Sequence, residues 1–570
     1  MANDNLAHGA STAAVPLTAR ELPSHRIPFT RLKGFENQGQ TADLAALAEL
    51  AKSMASDPDE VKDGPDPEEN LWVPAGYTYF GQFVDHDLTF DSTSSLDPAD
   101  KNRLPSNLRT PRFDLDCVYG DGPDAQPYMY APDGATLLDG SFPETSSSGK
   151  ETSNGNPWDL FRGPTGRAII GDKRNDENSI VCQIQLGFIR YHNAIVQRLN
   201  GEDPGTWVVP DNLFESARAE VRWTYQLLLI HDFLPRIIDA SVLAPFTGSK
   251  AERESVYKLY PDDQYTDAFG DVTRRRGNLP LEFVGAAYRF GHSGVRTGYR
   301  LNKHTKLSIF PGSKDLSGEE SLLGFDPLPR SHVIDDWGRF LTYTAPGKDK
   351  DGTDIHTITG RKAGTDVPDP HVKLQYAYKI DTNLVDPLSV LPPAVAGGAA
   401  GEAARAVTDQ PDPQRPSLAL LNLLRGNVYQ LPSGQAIANA LQLTPLANEL
   451  KVREDAAEDG KFKWGAVPSA LASQTPLWFY ILAEAQAAHV FKKLGSAASF
   501  DEDELLNGEG ALTQLGPVGG RIIAEVFYGL LDSDPDSVFN AAAPHWKPRI
   551  LSAGESVADV RLRRLLEFKA

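Results

Sequence analysis

Apolar residues recur with helical spacing along most of the chain, whereas strict alternation of apolar and polar residues is scarce. An early run carries Leu44, Leu47 and Leu50 on one face, with Thr41 as its predicted N-cap. Four longer helical runs are predicted at 178–199, 215–238, 475–494 and 518–532. This pattern predicts a mainly α architecture.

Composition narrows the classes of function. The 570 residues include 40% hydrophobic and 23% charged residues, with a net charge of −21. A surface this acidic repels phosphate backbones, so nucleic acid is not expected as a partner. The two cysteines allow at most one disulfide.

The ends and the apolar stretches of the chain bear on its location. No apolar stretch reaches the length of a membrane span. Residues 1–25 read as a loose, flexible tail without the basic start and apolar run of a secretory signal. These features predict a cytoplasmic protein, with export by another route left open.

The segment FGQFVDHDLTFD (80–91) concentrates polar chemistry on a predicted helix. At about 100° per residue, Gln82, Asp85 and His86 share one face, while Asp87 points away from it. Polar groups converging beside aromatic residues are costly to bury unless they are paired or functional. The alternative for this segment is a surface turn without a role.

Three further segments place single polar residues beside apolar runs. GDKRNDE (171–177) puts Arg174 and Glu177 three residues apart, on one helical face. AAYRFGHSGVRTGY (286–299) places His292 three residues after Arg289, and LALLNLLRGN (418–427) buries Asn422 in an apolar helix. Taken singly, each fits a structural role equally well: a helix-start ion pair, a satisfied core histidine and a capping asparagine.

The segment TPRFDLDCVYG (110–120) offers oxygen donors at Thr110, Asp114 and Asp116. Hard cations such as calcium take six to eight oxygen ligands, among which carboxylates are prominent. The alternative is a solvated acidic loop.

Together these segments resemble the animal-type haem peroxidases of the peroxidase–cyclooxygenase superfamily. The family patterns G-Q-x-x-D-H-D, G-D-x-R-x-x-E, R-[FY]-G-H and L-N-x-x-R-G have counterparts at 81–87, 171–177, 289–292 and 421–426, in the family's order. The resemblance extends over roughly residues 30–540. It implies a mainly α peroxidase fold with the haem between a distal and a proximal helix, and one catalytic domain over 26–570.

The resemblance also implies roles around a haem b. His292 corresponds to the proximal iron ligand, Asn422 to the residue that accepts its imidazole N–H, and Arg289 to a further haem-binding residue. His86 corresponds to the distal acid–base and Arg174 to the distal cation.

The remaining site residues are assigned by the same resemblance. Gln82 corresponds to the amide beside a distal water or halide, and Asp85 and Glu177 to carboxylates that form ester bonds to haem methyl groups. The calcium ligands correspond to Asp87, Thr110, Arg112 (through its carbonyl), Asp114 and Asp116.

The activity implied is reduction of hydrogen peroxide with oxidation of small electron donors such as phenols, bromide, iodide or thiocyanate. Myeloperoxidase carries, directly after the ester-forming glutamate, a methionine that adds a sulfonium link; here Asn178 stands in that place. Chloride is therefore not expected as a good donor. Three alternatives stay open: a fatty-acid dioxygenase that uses a tyrosine radical, a non-catalytic binding module of this fold, and a calcium-binding protein without haem.

Overall fold

A computed structural model describes residues 27–36, 39–56, 66–90, 106–142, 155–201, 212–261, 264–266, 272–274, 277–310, 320–349, 351–354, 374–392, 416–456, 461–495, 500–506 and 508–569. The predicted tail at 1–25 lies outside these residues.

Helices provide most of the secondary structure, which confirms the mainly α prediction. The α-helices are α1 (Leu44–Ser53), α2 (Gly76–Leu88), α3 (Asp116–Tyr119), α4 (Ser179–Asn200), α5 (Leu213–Leu228), α6 (Leu234–Ile237), α7 (Ala240–Leu243), α8 (Lys250–Val256), α9 (Leu281–Gly285), α10 (Leu418–Val428), α11 (Gly434–Ala440), α12 (Leu477–Gln486), α13 (Lys492–Leu494), α14 (Glu502–Leu505), α15 (Gly519–Ser533) and α16 (Leu562–Leu566). Two 3-10 segments that carry site residues lie at Lys173–Asp176 and Ala287–His292.

The strands are short and pair antiparallel. They are β1 (Ile27–Pro28), β2 (Glu69–Pro74), β3 (Ser106–Asn107), β4 (Gln264–Thr266), β5 (Val272–Arg274), β6 (Gly298–Arg300), β7 (Lys306–Ser308), β8 (Tyr376–Tyr378), β9 (Lys451–Ala456), β10 (Lys461–Ala466) and β11 (Phe500–Asp501). β9, β10 and β11 form a three-stranded sheet, and the other strands form the pairs β1–β3, β2–β8, β4–β5 and β6–β7.

Helix starts follow local capping chemistry. α1 begins two residues later than expected because Asp43, and not Thr41, is the N-cap and accepts a hydrogen bond from the backbone N–H of Ala46 at 2.9 Å. α4 begins at Ser179 because the side-chain oxygen of Asn178 accepts from two free backbone N–H groups at the helix start. That start agrees with the predicted run at 178–199.

The predicted run at 215–238 is interrupted by a wide π turn at Leu229–Phe233, between α5 and α6. Pro235, in the first turn of α6, has no backbone N–H to donate. The hydrogen bond that a regular α-helix would make back into the Leu229–Phe233 segment is therefore missing there. The run at 475–494 contains a similar π turn at Ala487–Phe491.

Aromatic packing fixes helix α2 against its neighbours. The rings of Phe83 on α2 and Phe188 on α4 stack with centroids 4.7 Å apart, and Tyr225 on α5 meets both rings edge-on. Because this apolar face is buried, the opposite, polar face of α2 is turned to a cavity. The main hydrophobic core extends along the chain from Phe29 to Leu565.

Two sequence features have a simple outcome in the fold. Cys117 and Cys182 are both buried and free, so they do not form the one disulfide that the sequence allowed. Within the described part of the chain, no helix combines the length and the apolar character needed to cross a membrane.

Candidate functional site

A cavity of about 470 Å³ brings together six of the eight residues that the sequence analysis assigned to a haem site. Its walls are largely apolar, and the predicted site residues among them are Gln82, Asp85, His86, Glu177, Arg289 and His292. Arg174, Asn422 and the predicted calcium ligands are not among the lining residues. A cavity of this size with a few converging polar groups is typical of a cofactor or small-molecule site.

His86 lies near the end of α2 and is 5% exposed. Its Nδ1 lies 2.7 Å from Oδ1 of Asn175, and its Nε2 lies 3.7 Å from Oε1 of Glu177. Burial, followed by the positive charge of Arg174, lowers the pKa of His86 to about 4. The ring is therefore neutral at ordinary pH and can accept a proton.

An amide–carboxylate network lies next to this histidine. The side-chain N–H₂ of Gln82 donates to Glu177, and that of Asn178 donates to Oε1 of Gln82 at 3.1 Å. Burial raises the pKa of Glu177 to about 7. Asn178 thus joins the start of α4 to the polar face of α2.

The side chain of Arg174 does not line the cavity, although a distal cation was expected to face it. Its guanidinium is held by both carboxylate oxygens of Asp172, and it donates to the backbone carbonyls of His86, at 3.2 Å, and of Thr89. It also lies over the ring of Phe90, 4.8 Å from the centroid. Because these carbonyls at the end of α2 have no partner within the helix, they compete for the arginine. Its charge still acts on His86 from that position.

Asp172 organises the two arginines on this side of the site. Burial alone would raise the pKa of Asp172, but the charges of Arg174 and Arg109 lower it below its usual range. The preceding Gly171 packs directly on backbone: a Cβ there would lie 2.4 Å from the carbonyl oxygen of Asp116. Only glycine permits this approach of the 171–177 segment to the 110–120 segment.

His292 ends the 3-10 segment Ala287–His292 and lines the cavity together with Arg289. Burial, followed by the charges of Arg289 and Arg425, lowers the pKa of His292 to about 3. The backbone carbonyl of Arg289 accepts from the indole N–H of Trp478 at 3.1 Å, which ties this segment to α12.

Asn422 on α10 contacts His292 as expected, but with the opposite polarity. Its Nδ2 lies 2.9 Å from Nδ1 of His292, while its Oδ1 accepts from Arg425 at 3.2 Å. A guanidinium can only donate, so Arg425 draws the amide oxygen to itself and leaves the amide N–H₂ for the histidine. In this structure the amide oxygen that would accept the imidazole N–H faces Arg425, so the acceptor role of Asn422 stays a prediction.

Arg289 is half-buried at the cavity wall, and its Nε donates to the carbonyl of Val284 at 2.9 Å. Burial, followed by repulsion from Arg425, lowers the pKa of Arg289 to about 10. Two positive charges so close together in a buried site favour an anionic group of a ligand.

The carboxylates of Asp87, Asp114 and Asp116 meet away from the cavity, with oxygens within 4.8 Å of one another. Both oxygens of Asp87 and one each of Asp114 and Asp116 are buried and lack a hydrogen bond of good geometry among the described residues, although Oδ1 of Asp116 lies 3.4 Å from the guanidinium of Arg109. Burial raises the pKa of Asp116 to about 8, with Asp114 adding to the shift and Arg109 opposing it. Such a cluster is costly without a cation.

The other two predicted calcium ligands lie beside this cluster. The hydroxyl of Thr110 donates to Oδ2 of Asp114 at 2.9 Å. The guanidinium of Arg112 is paired with Asp534 and Asp536, at 2.6 and 2.7 Å, so only its backbone carbonyl is available to a cation.

Sequence reasoning missed Asn175 and Gln185, which are buried and lie behind His86. The signal was present, because Gln185 interrupts an otherwise apolar stretch of α4 and a buried amide needs partners. It also left unassigned the tyrosines of the cavity wall, which are Tyr77, Tyr79, Tyr288 and Tyr378.

Part of the chain matches a known protein family. Residues 95–351 match the family described as animal haem peroxidase. The matched segment includes Arg174, Glu177, Arg289 and His292, whereas His86 precedes it.

Curated relatives are distant and longer than the matched region. A peroxidase-like protein of Margaritifera margaritifera is 25% identical over 304 residues, which are 41% of this chain and 35% of that protein. The dual oxidase of Drosophila melanogaster is 26% identical over 144 residues, or 25% of this chain and 8% of that protein. Human dual oxidase 2 is 26% identical over 189 residues, which are 31% of this chain and 12% of that protein. The chain thus spans about a third or less of the length of these relatives.

Among solved structures, peroxidase A from Dictyostelium discoideum matches at a TM-score of 0.44 and 15% identity, covering 91% of this chain and 88% of that one. A fatty acid alpha-dioxygenase from Oryza sativa also has a TM-score of 0.44 with 15% identity, covering 89% and 83%. By the family match and the peroxidase-like relative, the chain is similar to the animal haem peroxidases over residues 95–351.

Proposed function

We propose that this protein is a haem peroxidase that reduces hydrogen peroxide to water while oxidising small donors such as phenols, bromide, iodide or thiocyanate. The observation that carries the proposal is a pair of histidines that line one cavity, of which His86 is buried and His292 is half-buried. Burial lowers the pKa of both rings, so both are neutral at ordinary pH, one as a base and the other as a metal ligand.

The chemistry of the cavity fits a haem. Its apolar walls suit a porphyrin, His292 offers an imidazole to the iron, and Arg289 offers a positive charge to a propionate. A haem bound there would supply the redox chemistry, which this chain's side chains cannot provide alone. Ligation through Nε2 of His292 needs a proton on Nδ1. The amide oxygen of Asn422 would accept that proton once the amide is turned over from the orientation that it has beside Arg425.

The remaining polar residues would handle protons and charge. His86 takes a proton from the peroxide and returns it to the oxygen that leaves as water. Gln82 orients a small molecule in the cavity through its amide. Arg174 acts from behind α2, where it fixes the backbone of His86 and adds to the effect of burial in lowering the pKa of the ring.

Covalent attachment of the haem is part of the proposal. Asp85 and Glu177 both line the cavity, where their carboxylates can form esters with haem methyl groups. An ester removes the charge of each carboxylate, which relieves the cost of burying Glu177.

Calcium is the second proposed cofactor. Asp87, Asp114 and Asp116 would supply carboxylate oxygens, with Thr110 and the carbonyl of Arg112 completing the site. The buried oxygens of Asp87 and Asp114 that lack a hydrogen-bond partner among the described residues support this assignment. We further propose that residues 26–570 form one catalytic domain, since the main core includes side chains from Phe29 to Leu565.

A fatty-acid dioxygenase is the second candidate, favoured by the tyrosines on the cavity wall. Tyr288 donates to the carbonyl of Gly81 at 3.2 Å, and Tyr378 donates to Asp66 at 2.7 Å. A tyrosine so placed is a candidate radical site.

The test begins with the absorption spectrum of the protein purified after haem supplementation. A Soret band and peroxide-dependent oxidation of guaiacol or iodide are expected. Oxygen uptake with linoleic acid, measured on the same preparation, would assign the chain to the dioxygenases instead. A preparation that binds no haem would refute both.

A further inference from the structure

A line of buried hydrogen bonds runs from the ring of His86 to a backbone carbonyl. Nδ1 of His86 lies 2.7 Å from Oδ1 of Asn175, whose Nδ2 donates to Oε1 of Gln185 at 2.8 Å. Nε2 of Gln185 in turn donates to the carbonyl oxygen of Cys117 at 3.4 Å. Asn175 and Gln185 are both fully buried, so water cannot substitute for a missing partner.

The direction of every bond in this line is set at its far end. The carbonyl of Cys117 can only accept, so the N–H₂ of Gln185 must face it. The amide oxygen of Gln185 is then left for the N–H₂ of Asn175. The amide oxygen of Asn175 consequently faces His86, and Nδ1 of the ring must carry the proton. Turning either amide over would set two acceptors or two donors against each other.

We propose that Asn175, oriented by Gln185, is the positioning residue that fixes His86 in the tautomer whose Nε2 is free to accept a proton. The free nitrogen is on the cavity side, since it lies 3.7 Å from Glu177, a cavity-lining residue. The inference rests on the proposed peroxidase function and names the residues that set the tautomer of its base.

The hydrogen bond from Nδ1–H to Asn175 matters both when His86 takes up a proton and when it returns that proton. A ring that arrives with Nε2 unprotonated can take a proton from hydrogen peroxide at once, and Nδ1–H remains bonded to Asn175 while the ring is charged. The same proton then passes from Nε2 to the oxygen that leaves as water, so His86 ends as it began. A haem bound in the cavity would supply the two electrons and take up the second oxygen atom of the peroxide. Without Asn175, the ring can also adopt the tautomer with Nε2–H, which cannot act as a base.

Four variants separate this role from a contribution to folding. Asn175→Leu removes the acceptor at nearly constant volume, whereas Asn175→Asp keeps an acceptor for Nδ1–H but buries a charge. Gln185→Leu removes the group that orients Asn175. The matched control is Gln183→Leu, because Gln183 is a buried amide on the same helix whose bonds go to Ser179, His332 and Ile334 and not toward His86.

Four properties are measured on haem-loaded protein: the stopped-flow rate with hydrogen peroxide, the affinity for cyanide, the melting temperature and the tautomer of His86. Hydrogen cyanide must lose its proton to bind ferric haem as an anion, so its affinity reports the distal base without turnover. The tautomer of His86 is read directly from ¹⁵N-histidine spectra of the diamagnetic ferrous carbon monoxide form, with His86→Gln as the assignment variant.

Asn175→Leu should lower the peroxide rate and the cyanide affinity by about 10- to 100-fold, as expected when an outer partner of a site histidine is lost. Asn175→Asp should stay close to wild type in both while melting at lower temperature, so rate and stability rank the two variants in opposite order. Gln185→Leu should fall between them, and Gln183→Leu should change only the melting temperature.

Two results would overturn the inference: an Asn175→Leu variant with the wild-type rate and an unchanged His86 spectrum, or an Asn175→Asp variant as slow as Asn175→Leu. A wild-type protein that binds haem but does not react with peroxide would instead remove the proposed function, and the inference with it.

Discussion

Arg174 donates to the backbone carbonyl oxygen of His86 at 3.2 Å, so the two residues are joined through the end of α2 and not across the cavity. The same guanidinium neutralises Asp172 and contributes to the low pKa of His86. Arg174 therefore holds the end of α2 in place and acts on the charge of the His86 ring from outside the cavity.

Replacing Arg174 by Gln should therefore lower stability and rate together. We expect a loss of about 1–3 kcal/mol, because Asp172 and the carbonyls of His86 and Thr89 lose a charged donor. The peroxide rate should fall less than on removal of His86. Urea unfolding and stopped-flow kinetics measure the two effects, with Arg253→Gln, which breaks a buried pair with Asp532, as control. A full loss of rate at wild-type stability would place Arg174 in the cavity itself.

His86→Ala should leave haem binding intact and slow the reaction with peroxide by about 10² to 10⁴-fold, since general-base assistance is lost. The matched control is His192→Gln, because His192 is another buried histidine with a pKa lowered to about 4, held by Tyr119 and Ala135 outside the cavity. The control should lose stability but keep its rate. Equal rates in His86→Ala and wild type would contradict the assignment.

His292→Ala should lose most of the haem, or hold it with an altered spectrum and without activity. The reason is that it removes the only ring nitrogen that we assign to the iron. Haem content per chain and the position of the Soret band measure the effect, and His86→Gln serves as the control that should retain haem. Full haem content with an unchanged spectrum in His292→Ala would exclude it as the ligand.

Asp87→Asn should shift the melting temperature in one direction if the site holds a cation and in the other if it does not. If Asp87, Asp114 and Asp116 surround a calcium ion, removing one charge weakens binding and lowers both the melting temperature and activity. If the cluster holds no cation, the same change relieves repulsion among buried carboxylates and raises the melting temperature. Asp124→Asn, at an exposed position, should do neither. Elemental analysis should find calcium in the native protein, and strong chelation should mimic Asp87→Asn.

Peroxide treatment should make the haem resistant to acid–acetone extraction, because Asp85 and Glu177 can then form ester bonds. The double variant Asp85→Val with Glu177→Gln should release the haem under the same treatment. Mass spectrometry of proteolytic fragments identifies the linked residue. Complete extraction from treated wild-type protein would exclude the ester links.

Asn178 should limit the oxidising power of the site, since its amide cannot form a sulfonium link to the haem. Bromide, iodide and thiocyanate are expected to be better donors than chloride near neutral pH, and the Soret band should lack a large red shift. In this fold Asn178 also caps α4 and bonds Gln82, so Asn178→Met should cost about 1 kcal/mol. Chloride turnover as efficient as that of bromide would refute this reading.

The sequence predicted which residues converge better than it predicted how they are held. Helical spacing correctly put Gln82, Asp85 and His86 on one face and Asp87 on another, because both follow from the geometry of a single helix. It could not predict the direction of Arg174, since that side chain was free to turn toward the cavity or toward the carbonyls at the end of α2. That choice depends on Asp172 and on the neighbouring helix.

Amide orientation was equally beyond the sequence. The contact between Asn422 and His292 was expected, but its polarity is decided by Arg425, a competing donor. Asn175 was overlooked because it stands in an acidic, polar segment that suits a surface turn. Its burial comes from the packing of 171–177 against 116–117, a contact between segments about 55 residues apart in sequence.

The carbonyl of Cys117 that orients Gln185 belongs to the residue next to Asp116. His86 is likewise the residue next to Asp87, and the carboxylates of Asp87 and Asp116 lie within 4.8 Å of each other. A cation between these two carboxylates would therefore close a ring of covalent, coordinate and hydrogen bonds that leaves His86 along the backbone and returns to it through Asn175. A closed ring has far fewer ways to deform than an open chain, so metal and amides would hold the catalytic imidazole from both sides, and breaking any one member would loosen all the others.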